Sequence, residues 1–235
     1  MRANRLLGIV IATTLTATVA FGSVAGAANL GPQAPQTLGA WIIPGGTGAP
    51  NVITWANFTG PNNTNLAATA LNGGGTWIAQ FGTWKLSSKN TANSSNTTLS
   101  NLTTAVGTVS AAVESTTLDF GGNPRAGLIG LSNGTSFVYA IYTKTAGGTV
   151  QLYKYVSGVS TLLASTTGVG LPIVAPMRLD AMTNTIRVWW DGTARLSYTL
   201  TASEVTLLKS AGHDRFGIIA DGDASTTFDD FHVDH

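Results

Sequence analysis

The sequence predicts an all-β protein, a sandwich of two antiparallel sheets with about 12–13 strands and one short helix. Three observations support this prediction. Apolar and polar residues alternate with a period of two from Trp77 onward. Clusters of glycine, asparagine and proline interrupt the alternation at short intervals, and the chain contains 28 glycines. Residues 201–211 have the apolar spacing of a short helix.

The predicted strands follow one another along the chain at regular intervals. We expect strands at residues 109–113, 126–131, 136–142, 150–156, 176–182, 185–190, 194–200, 216–220 and 227–233. The dipeptide Asp191-Gly192 separates two of these strands. Both central residues of a type I′ turn need a positive φ, which this dipeptide tolerates, so we predict a two-residue hairpin here.

The first 27 residues are predicted to be a signal peptide of bacterial type. Arg2 and Arg5 form a basic start, an apolar run follows from Leu6 to Phe21, and Ala25-Gly26-Ala27 forms a typical cleavage site. The apolar run is shorter than the ~20 residues that a membrane-spanning helix needs. We therefore expect a secreted protein, extracellular or at the cell surface, with no membrane span in the mature chain.

The rest of the chain divides into two parts by composition. Residues 28–50 contain four prolines and five glycines, which indicates an extended N-terminal segment laid over the domain, or a linker. Residues 51–235 show no break in composition and are predicted to form one domain. We expect this domain to be a monomer by default.

Charge and cysteine content exclude several classes of function. Lysine and arginine together number 12 against 11 acidic residues, so the net charge is +1 and no dense basic patch is available for nucleic acid. The chain has no cysteine, which excludes disulfides, thiolate metal sites and a catalytic cysteine.

Several short motifs occur in a definite order between Trp55 and the C-terminus. In chain order they are Asn57-Phe58, Gly75-Thr76-Trp77, Phe81-Gly82-Thr83-Trp84-Lys85-Leu86, Ala126-Gly127-Leu128-Ile129, Leu152-Tyr153-Lys154, Thr185-Ile186-Arg187-Val188-Trp189-Trp190-Asp191-Gly192, Phe216-Gly217-Ile218-Ile219 and Phe228-Asp229-Asp230-Phe231-His232-Val233. This order resembles the concanavalin A-like lectin/glucanase domain, a laminin-G-like jelly roll of secreted bacterial proteins and phage tail proteins. The resemblance implies two curved antiparallel sheets whose concave face or edge loops bind glycans.

The same resemblance sets three functional alternatives. Glucanases of this fold carry E-x-D-x-x-E on one strand. That motif is absent here, and the chain has only Glu114, at the end of a predicted strand, and Glu204, expected as a solvated helical charge. His213, His232 and His235 lack the partners of a catalytic triad and are expected at the surface. We therefore favour a non-catalytic carbohydrate-binding module for a polysaccharide or cell-surface glycan. The alternatives are a glycoside hydrolase or lyase that uses aspartates, and a structural or adhesive surface protein.

The candidate ligand-binding residues come from three consecutive predicted strands. Alternation places one large aromatic and several charged side chains on one face, namely Trp189, Arg187, Arg178, Asp180 and Arg195. Sugars bind by stacking on such a ring while polar groups bond their hydroxyls. Alternatively, Trp189 packs under a loop or the N-terminal segment and Arg187 pairs with Asp180. The remaining aromatic candidates are Tyr153 and Tyr155, and Trp77 and Trp84, for which we expect the core.

The resemblance also implies one structural calcium ion that joins the first strand to the last. Asp229 is at the matching position, and alternation predicts that it points to the same face as Phe231 and Val233. Backbone carbonyls near Asn57 would complete an oxygen-rich site. The alternatives are that Asp229 caps backbone N–H groups without a metal, or that the strand is bulged and Asp230 takes the inward place.

Overall fold

A computed structural model describes residues 51–88, 91–94, 99–118, 125–172, 174–221 and 227–235. The predicted signal peptide, 1–27, and the glycine- and proline-rich segment, 28–50, lie outside these residues. The described strands form two antiparallel sheets, and one short helix precedes the last two strands. The prediction of an all-β, two-sheet sandwich is therefore confirmed, although the described residues form 15 strands rather than the expected 12–13. None of the helices in the described part is long and apolar enough to span a membrane.

The eight-stranded sheet contains both ends of the described chain. Its members are β1 (Val52–Ala56), β3 (Trp84–Leu86), β4 (Ala92–Ser94), β6 (Ala112–Leu118), β11 (Val174–Asp180), β12 (Thr185–Trp190), β13 (Thr193–Thr199) and β15 (Thr227–Asp234). Its order is β13-β12-β11-β6-β15-β4-β3, and β1 also pairs with β15. The C-terminal strand β15 thus has β6 on one side and both β1 and β4 on the other.

The members of the seven-stranded sheet are β2 (Ile78–Phe81), β5 (Ser100–Ala105), β7 (Arg125–Ser132), β8 (Ser136–Thr143), β9 (Thr149–Val156), β10 (Val159–Thr167) and β14 (Arg215–Asp221). Its order is β10-β9-β8-β7-β14-β5-β2. The helix α1 (Ala202–Leu208) connects the two sheets between β13 and β14.

Large side chains fill the space between the sheets. Trp190 stacks on Tyr142 at a ring distance of 4.1 Å, which joins β12 to β8. Trp84 contacts Phe228 at 5.7 Å. Trp77 is also buried, so the expectation that Trp77 and Trp84 belong to the core is confirmed. Burial of such rings supplies much of the free energy of folding in a chain without disulfides.

The predicted elements agree with the structure best where a strand has one buried face. Asp191 and Gly192 have φ values of 50° and 69°, as the predicted hairpin turn requires. β6 begins at Ala112 rather than at residue 109, and β10 and all five strands before β6 were not predicted. β10 is mostly exposed and rich in serine and threonine, so it lacks the apolar alternation that identifies a half-buried strand.

The helix is tied to both sheets through Glu204. Its carboxylate accepts hydrogen bonds from Lys154 Nζ on β9, at 2.6 Å, and from the Tyr198 hydroxyl on β13, at 3.0 Å. It also completes a capping box with Thr201. Burial alone would raise the pKa of Glu204, but the hydrogen bonds from Lys154, Thr201 and Tyr198 outweigh it and lower that pKa to about 2. The expectation of a solvated helical charge was wrong, because Glu204 is buried.

Candidate functional site

Five side chains form a row across the outer face of the eight-stranded sheet. Strand register places Trp55 of β1 opposite His232 of β15, His232 opposite Glu114 of β6, Glu114 opposite Arg178 of β11, and Arg178 opposite Trp189 of β12. Their neighbours along the strands, including Val113, Leu179, Val188 and Val233, are buried in the core. Because side chains alternate along a strand, the row faces away from the core. We call these five residues the cross-sheet row.

The cross-sheet row is an elongated polar strip with an aromatic ring at each end. Adjacent strands lie ~4.8 Å apart, so Trp55 and Trp189, four strand spacings apart, are separated by ~19 Å. Both tryptophans are partly exposed. Gly73 packs so close to the Trp55 ring that a Cβ atom there would lie 2.3 Å from it. A side chain at position 73 would therefore displace this ring.

A buried ion pair supports the middle of the row. Arg178 donates from Nη2 to Asp234 Oδ1 at 2.8 Å and from Nη1 to Asp234 Oδ2 at 3.0 Å. A third, longer contact of 3.5 Å joins Arg178 Nη1 to Glu114 Oε2. Burial alone would lower the pKa of Arg178, but Asp234 and then Glu114 raise it above its ordinary value. Both terminal nitrogens of Arg178 are thus engaged, although it was predicted as a ligand-binding residue.

The other predicted site residues lie around Trp189. Arg187 is exposed and lies opposite Asp180 in the register. Asp180 accepts a hydrogen bond from the backbone N–H of Met182 at 2.9 Å. Within the described residues, Arg187 and Asp180 do not form the surface ion pair that was the alternative explanation for this face. Trp189, Arg187 and Asp180 therefore share one face, as the alternation predicts.

Arg195 departs from the predicted pattern because β13 contains a bulge. Val188 lies opposite Leu196, but the next residue, Trp189, lies opposite Ala194. Arg195 is the extra residue and has no register partner on β12. Its Nε is buried without a hydrogen-bond partner in the described part of the chain.

Three residues of the row, Trp55, Glu114 and His232, were not predicted as site residues from the sequence. Alternation along β6 and β15 does place Glu114 and His232 on an outer face. Only the strand order, with β15 between β1 and β6, brings them into line with Trp189. The expectation of surface histidines also fails for His213, which is buried, contacts Ser210 Oγ through Nδ1 at 3.0 Å, and has a pKa lowered by burial.

The last strand is bulged at the position proposed for calcium. Phe228 and Phe231 are both buried, Asp229 lies opposite Thr116, and Asp230 has a φ of 51°. The expectation that Asp229 shares a face with Phe231 was therefore wrong, because the extra residue in the bulge reverses the alternation. Asp229 accepts a hydrogen bond from the N–H of Asp230 at 2.8 Å.

Both carboxyls in this bulge are poorly solvated. Burial raises the pKa of Asp229 to about 6 and also raises the pKa of Asp230. Ala56 pairs with Phe231, so Asn57 follows β1 beside this bulge. Its side-chain oxygen accepts from the Thr59 hydroxyl at 3.0 Å. Across the described ranges, no group of three or more histidine, aspartate or glutamate side chains could hold a metal ion.

Tyr153 and Tyr155 lie on the opposite side of the sandwich. On the outer face of the seven-stranded sheet, Tyr153 stacks on Tyr139 at 5.0 Å, and Tyr155 stacks on Phe137 at 4.5 Å. Together with Ile129, Ile141 and Ile219 they belong to a second apolar cluster. One face of each tyrosine ring is covered by the aromatic ring on which it stacks, which leaves less free surface for a planar ligand.

A polar depression of about 400 Å³ lies at the other edge of the eight-stranded sheet, near β3 and β4. Its lining is formed by amide, hydroxyl and lysine side chains with one leucine, namely Asn62, Asn63, Lys85, Leu86, Ser87, Ser88 and Asn93. It has no aromatic ring, so it lacks the stacking surface that the cross-sheet row offers at both ends.

Comparison with known proteins identifies similar folds. No family model matches the sequence, and no curated protein matches it. The carbohydrate binding module CBM66 from Bacillus subtilis has a TM-score of 0.56 at 14% identity, covering 68% of this chain and 95% of that chain. A glycosyl hydrolase family protein from Mycobacterium fortuitum has a TM-score of 0.46 at 13% identity, covering 78% and 99%. A galectin from Caenorhabditis elegans has a TM-score of 0.41 at 11% identity, covering 57% and 91%. At these identities the likeness describes the fold alone, and it is consistent with the expected jelly roll.

Removing one partner of the buried ion pair should be costly. We expect Asp234→Ala to lower the free energy of unfolding by ~3–5 kcal/mol, because the buried Arg178 guanidinium loses its bidentate partner and keeps only the longer contact with Glu114. The double variant Arg178→Met/Asp234→Leu should recover most of that loss. Urea denaturation of the wild type and of these two variants measures both changes in the free energy of unfolding. A loss of only ~0–1 kcal/mol for Asp234→Ala is typical of a surface pair and would contradict the description of Arg178 and Asp234 as a buried ion pair.

Proposed function

We propose that this protein is a secreted, non-catalytic carbohydrate-binding module that recognises a polysaccharide or cell-surface glycan. The binding surface is the cross-sheet row together with Arg187 and Asp180. The observation that carries the proposal is the position of partly exposed Trp189 beside exposed Arg187 on one outer sheet face.

The chemistry of the row suits a sugar chain. A pyranose ring has apolar C–H faces that pack on an aromatic ring, and hydroxyls at its rim that need hydrogen-bond partners. Trp189 and Trp55 supply the two rings, and Glu114, His232 and Arg187 supply polar groups near them. The separation of ~19 Å between the rings favours an extended chain of several sugars over a single monosaccharide.

The number and the burial of the carboxyl groups favour binding over hydrolysis. A glycosidase usually needs two carboxyls on either side of the scissile bond. Glu114 is the only carboxylate within the row, and the other carboxylate of the proposed surface, Asp180, accepts a hydrogen bond from the N–H of Met182. Asp234, which is next to Glu114 in space through Arg178, is fully buried and holds both terminal nitrogens of Arg178. The shared fold of the carbohydrate binding module described above supports the same assignment.

A glycan array combined with a reducing-sugar assay on the same polysaccharides tests the proposal. We expect binding to a subset of glycans with no sugar release. Release of reducing sugar would favour a hydrolase instead. Neither binding nor release would favour a structural or adhesive role.

The ligand found in this way tests the site. Trp189→Ala should weaken binding by ~1–3 kcal/mol, on the scale of aromatic stacking on planar ligands, while the fold is retained. Trp189→Phe should keep part of the affinity because it keeps a ring. Isothermal titration calorimetry measures both.

Tyr153→Ala is the matched control, since Tyr153 is a partly buried aromatic on the opposite sheet. Its affinity should equal that of the wild type. Folded Trp189→Ala protein with unchanged affinity would exclude this face, and loss of binding in Tyr153→Ala alone would place the ligand on the other one.

We further propose that a calcium ion binds beside the bulge of β15. Asp229 supplies a carboxylate, and Asn57 and nearby backbone carbonyls supply neutral oxygens. These are hard oxygen ligands of the kind calcium prefers. The proposal is supported by two adjacent carboxyls whose raised pKa values reflect poor solvation, a state that a bound cation would relieve.

Thermal unfolding in EDTA and in excess Ca²⁺ tests the calcium proposal. Ligand linkage predicts a stabilisation of ~2.7 kcal/mol at a hundredfold excess over Kd. Asp229→Asn should abolish this difference. If no metal is bound, Asp229→Asn should instead stabilise the protein at pH 8, because it removes a poorly solvated charge. Identical melting in both buffers, with no metal found by elemental analysis, would overturn the proposal.

A further inference from the structure

The edge strands of the two sheets differ in how well they are protected from pairing with another chain. β2 and β3 are edge strands of four and three residues. β13 is an edge strand that carries the Arg195 bulge. Short length, charge and bulges are the usual devices that keep an edge strand from pairing with another chain.

β10 is a long edge strand without charge. It has nine residues, with the sequence VSTLLASTT, and pairs only with β9 in the described part of the chain. Val159 is 65% exposed and Leu162 is 50% exposed. A bulge at Leu163 interrupts the pairing, and the four residues before it, 159–162, pair regularly with β9 and are all exposed.

The sequence around β10 is also uncharged, and the charge opposite it on β9, Lys154 across from Thr161, is paired with Glu204. Residues 155–177 contain no lysine, arginine, aspartate, glutamate or histidine. A second copy of the same strand can therefore approach without repulsion between like charges. The outward backbone N–H and C=O groups of an edge strand gain hydrogen bonds from such an approach, and exposed apolar side chains lose contact with water.

We propose that β10 pairs antiparallel with β10 of a second copy of this chain, so that two seven-stranded sheets become one continuous sheet. A second copy is the occupant that the strand fits best, because each copy brings the same unpaired edge and the same absence of charge. A two-fold axis closes the assembly at a dimer, which is the commonest symmetry of soluble oligomers.

This symmetry has a consequence that rests on the proposed function. The two-fold axis that relates antiparallel neighbours in one sheet is perpendicular to that sheet. It therefore keeps the cross-sheet rows of both copies on the same side of the dimer. Two rows on one side can bind one polysaccharide surface together, which raises the apparent affinity through effective concentration.

Sedimentation of the full chain over a range of concentrations tests the dimer. We expect a dimer for the wild type and a monomer for Val159→Lys/Leu162→Lys, because lysine on an edge strand blocks pairing. The matched control is Leu171→Lys, which changes a 58% exposed leucine outside β10 and should remain a dimer. A wild type that is monomeric at all concentrations, or a dimer that persists in the double-lysine variant, would overturn the proposal.

Single cysteines locate the contact directly, since the chain contains none of its own. Two-fold pairing places one residue of the strand opposite its own copy. Among Ser160→Cys, Thr161→Cys and Leu162→Cys, we expect one to form a disulfide-linked dimer rapidly under mild oxidation. Leu171→Cys should not do so. Equal crosslinking of all four variants would indicate random collision and would contradict the pairing.

Glycan binding by the double-lysine variant separates this inference from the proposed function. Its affinity for a short oligosaccharide should equal that of the wild type, while its affinity for the immobilised polysaccharide should fall at least tenfold. A dimer that binds no glycan would overturn the proposed function and leave the pairing intact. A monomer that binds glycan would overturn the pairing and leave the proposed function intact.

Discussion

The bidentate ion pair between Arg178 and Asp234 is the interaction on which the eight-stranded sheet depends most. It spans β6 and holds β15 to β11, and β15 in turn pairs with β1, β4 and β6. The end of the chain thus occupies the middle of a sheet, where loss of one strand would separate two groups of strands. Buried ion pairs often contribute little net stability against apolar replacements, but an unpaired buried charge is strongly unfavourable. The pair therefore selects the one register in which Arg178 and Asp234 meet.

The same pair shapes the surface above it. With both terminal nitrogens directed to Asp234 and Glu114, the Arg178 side chain lies against the sheet between His232 and Trp189 in the row. The ion pair therefore fixes the polar side chains in the middle of the row, and a tryptophan lies at each end. The helix connection shows a similar design, because Glu204 binds Lys154 of one sheet and Tyr198 of the other. In a chain with only 10% charged residues, these few buried charges lie where separate elements must be held together.

Particular residues show how far the sequence could predict this molecule. Alternation identified the sandwich, the Asp191-Gly192 turn and the shared face of Trp189, Arg187 and Asp180, because these depend on local periodicity. It could not identify the row, since the alignment of Trp55 and Glu114 with Trp189 depends on strand order over the whole chain. The bulges at Arg195 and Asp230 shift the alternation by one residue and are invisible in the pattern. β10 was missed because an exposed edge strand has no buried face to give it a periodic signal.

The proposed binding of sugar at Trp189, on the outer face of the eight-stranded sheet, is tested most directly by the indole N–H signals in a nitrogen-15 correlation spectrum. The chain has six tryptophans, and each contributes one signal. Trp189→Phe assigns the signal of Trp189, and matching variants assign the others. During titration with the bound oligosaccharide, we predict shifts for Trp189 and Trp55, with the core residues Trp77, Trp84 and Trp190 unchanged. A saturated complex in which the Trp189 signal does not move would contradict the account.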